Sequence, residues 1–170
     1  RGFTLLEIMV VVIIIGILAT FVTLSMGNRE MDDRMEAEAR RLDQVLSLAE
    51  DDAQSKGIEI GFRQTQTGYE FLSAAADGHW ASYSQSGPLR GRKLPEPFYL
   101  ELTVEGHALP PPPAQDANKD AKVEPQILLL SSGEATAFSI NLGARGYRPF
   151  YSITGDALGK LAMTRQGDHQ

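Results

Sequence analysis

The chain has 170 residues, enough for one small folded domain plus an accessory segment and hardly enough for two cores. Its net charge of −6 disfavours a partner made of phosphates, which needs a basic surface, and no nucleic-acid role is expected. The absence of cysteine removes disulfides, thiolate nucleophiles and thiolate metal sites.

In chain order, the first feature is residues 3–26, FTLLEIMVVVIIIGILATFVTLSM, with no polar side chain between Ile8 and Ala19. These 24 residues would form a helix of about 36 Å, against roughly 30 Å of bilayer hydrocarbon. The β-branched run Val10 to Ile15 would favour a strand in water. Length decides against it, and the segment reads as a membrane-spanning helix. A removable signal peptide fits less well, because the stretch is long and no small-x-small cleavage site follows it. Glu7 is the anomaly: an acid inside such a segment is costly to insert and is by default a functional-site hypothesis. A free α-amino group at Phe3 would be its natural partner, and that requires a cut between Gly2 and Phe3.

Arg1-Gly2-Phe3-Thr4-Leu5-Leu6-Glu7 resembles the processing motif of type IV pilins and type II secretion pseudopilins. The resemblance implies a residual leader at 1–2, cleavage after Gly2 by a prepilin peptidase and N-methyltransferase, and methylation of Phe3. It further implies that Glu7 recognises the amino terminus of a neighbouring subunit as apolar helices pack into a filament. Two unpaired charges in an apolar bundle each favour the other's presence, which agrees with that role.

The second segment, 27–56, is amphipathic. Apolar residues recur at Met31, Met35, Ala39, Leu42, Val45, Leu46, Ala49 and Ala53, one helical face. Glu36 with Arg40 and Glu38 with Arg41 are spaced to pair along the helix. Lys56-Gly57 supplies a stop. Pilin-like relatives often bend this spine at a proline; none precedes Pro88 here, so a bend would fall at Gly16 or Gly27.

After Gly57 the periodicity becomes two. Strands are expected at 58–62, 69–71, 80–84, 98–104, 127–130, 135–142, 149–154 and 158–163, with turns at Ser131 to Glu134 and at Gly155-Asp156. Residues 105–125, with four prolines in a row, read as a flexible loop. The expected architecture is α+β and pilin-like: a long N-terminal helix, half membrane-spanning and half amphipathic, packed on antiparallel β-sheets within a β-rich domain at 57–170.

Chemistry is sparse. His79, His107 and His169 lack ligand-type neighbours at helical spacing, so no metal site and no cofactor are expected. No nucleophile elbow, P-loop or zinc-protease motif is present. The acidic runs on 27–56 read as a solvated face. Arg90, Arg92 and Lys93 form the one compact basic cluster, favoured as a soluble loop over a partner site.

The segments Ile127 to Glu134, Ala137 to Leu142 and Thr154 to Leu161 are similar to the domain shared by H-type minor pseudopilins and FimT-type minor pilins. The resemblance implies a non-enzymatic subunit of the type II secretion pseudopilus. Its implied partners are the major pseudopilin, the minor tip subunits, the processing peptidase, the inner membrane and secreted cargo. It implies a single-pass inner-membrane location with a periplasmic C-terminal domain. A FimT-like minor pilin of a type IV pilus is the alternative reading. A membrane-tethered periplasmic enzyme or binding module would leave Glu7 and the cleavage motif unexplained.

Overall fold

The structure is a computed structural model that describes residues 4–75, 78–112 and 123–167, the side chains of 19–28 excepted. Gly2 and Phe3 therefore lie outside the described residues, as do His169 and positions 113–122 of the proline-rich stretch.

One helix dominates. α1, Leu5–Lys56, is 52 residues long, about 78 Å, and runs through both Gly16 and Gly27. Thr4 caps its start, with its hydroxyl accepting the Glu7 N–H at 3.2 Å. Gly57 ends it: at φ 66° it turns left-handed and donates its N–H to the Ala53 carbonyl, and Lys56 places a cation in the last turn.

The strands are β1 Ile60–Gln64, β2 Gly68–Ala74, β3 Trp80–Ser82, β4 Arg92–Lys93, β5 Phe98–Val104, β6 His107–Leu109, β7 Ile127–Leu129, β8 Phe138–Ala144, β9 Tyr147–Gly155 and β10 Leu161–Gln166. They form two antiparallel sheets. The first is ordered β3-β2-β1-β7, with β4 beside β2; the second is β10-β9-β8-β5-β6. The buried face of α1, Met35, Ala39, Leu42, Leu46, Ala49 and Ala53, meets both sheets over a single core. Alternation sets each strand's inner face: Leu100 opposes Leu142, and Ile140 opposes both Leu102 and Ile153. Phe62, Tyr69 and Phe71 form an aromatic cluster with centroids 5.6 to 6.0 Å apart.

Gln64 joins the two sheets. Almost fully buried at 3% exposure, it donates from Nε2 to the Leu100 carbonyl of β5 at 2.8 Å, and its backbone N–H donates to Gln126 Oε1 at 2.7 Å. The buried amide is half satisfied: its nitrogen replaces one lost water contact, while Oε1 has no partner among the described residues.

Several details differ from the sequence reading, among them the last strand, expected at 158–163 and found at Leu161–Gln166. Residues 105–109 are not loop: Glu105 and Gly106 both take positive φ, as a two-residue hairpin needs, and return the chain along β5 as β6. β4 is only two residues long and carries no periodicity to read; it forms where the bare backbone of Gly68 lets the Arg92 carbonyl approach. β9 begins before Pro149, and the proline falls where the pairing of β8 with β9 shifts register, so its missing N–H disturbs little of the ladder. The Glu38–Arg41 pair gives way to Glu38–Arg92: Arg41 is half-buried beside Tyr69, while Arg92 meets the carboxylate with two hydrogen bonds.

Among the described residues no helix is long and apolar enough to cross a membrane. Of the segment expected to do so, 3–26, Phe3 lies outside that set, as do the side chains of 19–26.

Candidate functional site

Two halves of α1 behave oppositely. Over residues 5–18 the large apolar side chains are exposed on every face, from Leu5 at 81% to Val11 at 44%. A soluble surface helix would show an apolar stripe on one side alone. An apolar cylinder of this kind needs lipid or other helices around it.

Glu7 sits in the first turn of this cylinder. Its N–H donates to both the hydroxyl and the carbonyl of Thr4, at 3.2 and 3.1 Å. The carboxylate thus occupies the third helical position, at the positive end of the helix dipole. Among the described residues it joins no ion pair. Thr4-Leu5-Leu6-Glu7 is the Thr-x-x-Glu signature of a helix start, a second meaning of Glu7 that was legible in the sequence.

Over residues 29–56 the helix is tied to the domain. Arg92 grips Glu38 with two hydrogen bonds, at 2.5 and 3.2 Å, and Arg165 of β10 pairs with Asp32 at 2.8 Å. At the far end Lys56 Nζ donates to Asp52 at 2.8 Å and to the Tyr83 hydroxyl at 2.7 Å, and that hydroxyl donates to Asp52 at 2.9 Å. The Lys56 hydrogen bond holds the Asp52 carboxyl below its ordinary range. The basic cluster of the sequence reading is thus dispersed: Arg92 faces the helix, while Arg90 reaches back to the Gly87 carbonyl at 3.4 Å.

Glu50 is the acid that sequence reasoning passed over. It lies where α1 meets the turn between β9 and β10, beside the backbone of Gly159, with Oε1 buried and unbonded among the described residues. Burial, reinforced by Asp51, Asp156 and Asp43, pushes its carboxyl up to about 7. Within a run reading Glu50-Asp51-Asp52, only tertiary packing separates it from its solvated neighbours. Among the described residues no three potential metal ligands converge.

A small α+β domain carried on an extended helix whose free half is bare and apolar is the architecture of a pilin-like filament subunit. Residues 1–23 match the family model described as the prokaryotic N-terminal methylation motif. Type II secretion system protein H of Pseudomonas aeruginosa is 32% identical over 149 residues, spanning 86% of this chain and 84% of that protein. The protein of the same name from Aeromonas hydrophila is 29% identical over 99% of this chain and 96% of its own length. A crystal structure of the minor pseudopilin EpsH from the type II secretion system of Vibrio cholerae shares the fold, with TM-score 0.65 and 24% identity over 81% of this chain and 98% of that chain. The chain belongs to the type II secretion system protein H family. It is a minor pseudopilin, a structural subunit rather than an enzyme.

Proposed function

We propose that this subunit is cut between Gly2 and Phe3 by a prepilin peptidase, methylated at Phe3, and held in the inner membrane by residues 3–26 as a single span. Residues 27–56 then carry the 57–170 domain in the periplasm. From the membrane store the subunit is drawn into the pseudopilus, where Glu7 meets the amino terminus of a neighbouring pseudopilin and both charges are neutralised in an apolar bundle. Its neighbours there are the major pseudopilin and the minor tip subunits, and the assembled filament acts on folded cargo bound for the outer membrane.

The observation that carries this reading is the division of one continuous helix. Its N-terminal half exposes apolar side chains on all faces, while its C-terminal half is bonded to both sheets. Force or displacement applied to the bare half passes to the domain without a loop between them. The likeness to protein H sequences across nearly the whole chain favours the secretion system over a type IV pilus.

Substituting Glu7→Gln in the producing bacterium tests the role of the charge. It keeps the backbone hydrogen bonds to Thr4, which need no carboxylate. The variant should reach the membrane at parental abundance, lose co-purification with the other pseudopilins and reduce release of secreted enzymes. Normal co-purification and secretion in that strain would refute the assembly role of Glu7.

A further inference from the structure

The β9–β10 hairpin runs along α1 and gives the second sheet its direction. At one end Arg165, which lies opposite Tyr151 in the ladder, pairs with Asp32 at 2.8 Å. At the other, a Cβ at Gly159 would stand 3.8 Å from Oε1 of Glu50. β9 therefore leads away from the bare half of the helix, and the turn from β8 into β9 lies at the end nearer to it. A second tie agrees: Arg34 sits over the Phe98 ring at 5.9 Å, and Phe98 pairs with Ala144, the last residue of β8.

That turn is Arg145-Gly146, closed by the pairing of Ala144 with Tyr147, and Gly146 takes φ 73°. Arg145 donates its N–H to the Pro97 carbonyl at 3.2 Å, which ties the turn to the link before β5. From Tyr151 back to Tyr147 the strand covers about 13 Å, the rise of about nine helical residues. The tip thus reaches from the level of Asp32 and Glu36 toward that of Gly27, where the apolar segment ends. A headgroup layer is about 5 to 7 Å deep on each side of the hydrocarbon, so with 3–26 as the span the tip's side chains reach it.

The charge of the tip suits that position. Arg145 and Arg148 are exposed, Tyr147 is half-buried between them, and residues 143–150 contain no acid. Among the described residues at this end, Asp32 pairs with Arg165, Glu36 with Arg40 and Glu38 with Arg92. Exposed Glu30, Asp33 and Glu96 are matched in number by exposed Arg29, Arg34 and Lys93. Arg145 and Arg148 are the surplus, in a chain whose net charge is −6. Glu101, further along β5, lies about 10 Å deeper than Phe98.

We infer that the β8–β9 tip is a docking surface for anionic phospholipid headgroups, with Arg145 and Arg148 on phosphates and Tyr147 at the interface. A guanidinium meets phosphate with paired N–H donors, and tyrosine favours the boundary between apolar and wet regions. A protein partner needs a broad complementary face, whereas a two-residue turn and its flanking arginine suffice for headgroups. The inference rests on the reading of residues 3–26 as a membrane span and deepens it. The stored subunit meets the bilayer at two points, α1 and the hairpin, and its tilt is set before it joins a filament.

The test uses the full chain in nanodiscs of phosphatidylcholine, alone or with roughly one-third phosphatidylglycerol. Amide hydrogen exchange over 143–149 should be slower in the anionic discs, by roughly fivefold for each arginine engaged, and exchange at the far turn, 156–160, should not differ. Arg145→Gln with Arg148→Gln should exchange alike in both discs, and Arg145→Lys with Arg148→Lys, which keep the charge, should retain most of the difference. Unchanged protection at Ile140 and Leu142 in the core verifies that each variant is folded. Alkaline extraction of matching liposomes reports the span separately. A chain released into the wash overturns the span and this inference with it; a retained chain with equal exchange in both lipids overturns the inference alone. Protection of 143–149 that requires the major pseudopilin in place of anionic lipid would make the tip a subunit contact and overturn it equally.

Discussion

Arg92, on a strand of two residues, holds Glu38 of the helix through both of its carboxylate oxygens, across 54 positions of sequence. Both side chains are largely shielded, at 24% and 16% exposure, so the pair is screened less than a surface ion pair and its geometry is bidentate. It is one of the contacts that join the helix to the first sheet; the bonds of Lys56 and Asp52 to Tyr83 are another.

Replacing Arg92 with alanine strands a shielded carboxylate against the domain. The expected loss is about 2 kcal/mol, between the values for exposed and buried pairs. Urea unfolding of Arg92→Ala, Glu38→Ala and the double variant should show strong coupling between the two sites. Additive effects would mean that the pair contributes nothing beyond its separate side chains.

Gln64→Leu should also destabilise, by roughly 1 to 3 kcal/mol, because the Leu100 carbonyl loses its side-chain donor in the interior. The same measurement on Gln64→Glu separates hydrogen bonding from shape. A glutamate fits the space but must stay protonated to donate, so its destabilisation should grow as pH rises. A pH-independent result would refute that account.

Glu50 makes stability depend on pH near neutrality. Its folded carboxyl titrates at about 7, above its ordinary 4.5. Below 4.5 both folded and unfolded chains hold the proton and no difference arises. Between 4.5 and about 7 the unfolded chain ionises while the folded one keeps its proton, so this residue's contribution to stability falls as pH rises, then levels off. Melting temperatures across that window should fall for the parent and fall less for Glu50→Gln, with the two curves meeting at the acid end. Parallel curves would show that Glu50 is not the titrating group.

Gly159→Ala should be costly for two reasons that act together. The residue holds φ 74°, and a Cβ there would meet the Gly133 carbonyl oxygen at 2.5 Å. The oxygen belongs to backbone and cannot swing aside, so a loss of at least about 2 kcal/mol is expected, read by chemical denaturation. Leu158→Ala one position earlier should change little, since that side chain is 81% exposed.

The extremes of this molecule were legible in the order of residues, because they depend on periodicity and composition. The bare apolar segment, the helical stripe from Met35 to Ala53, the glycine stop at 57, the N-terminal motif and most of the strands are local patterns, and local patterns survive without knowledge of the fold. The same is true of the α+β class. The short strand β4 could not be read, since two residues carry no period. Nor could the choice of Arg92 over Arg41 as the partner of Glu38, because both are cations and only folding sets the distances. Glu50 and its acidic neighbours are alike as letters, and burial against the turn at Gly159 alone gives it a different proton affinity. Tyr99 likewise lies against Gly143 only because the pairing of β5 with β8 sets the two opposite each other. Sequence by itself determined which segments are apolar and most of the elements that form; the tertiary structure decided which charges meet and which are kept from water, because electrostatic energy depends on distance and solvent access rather than on order along the chain.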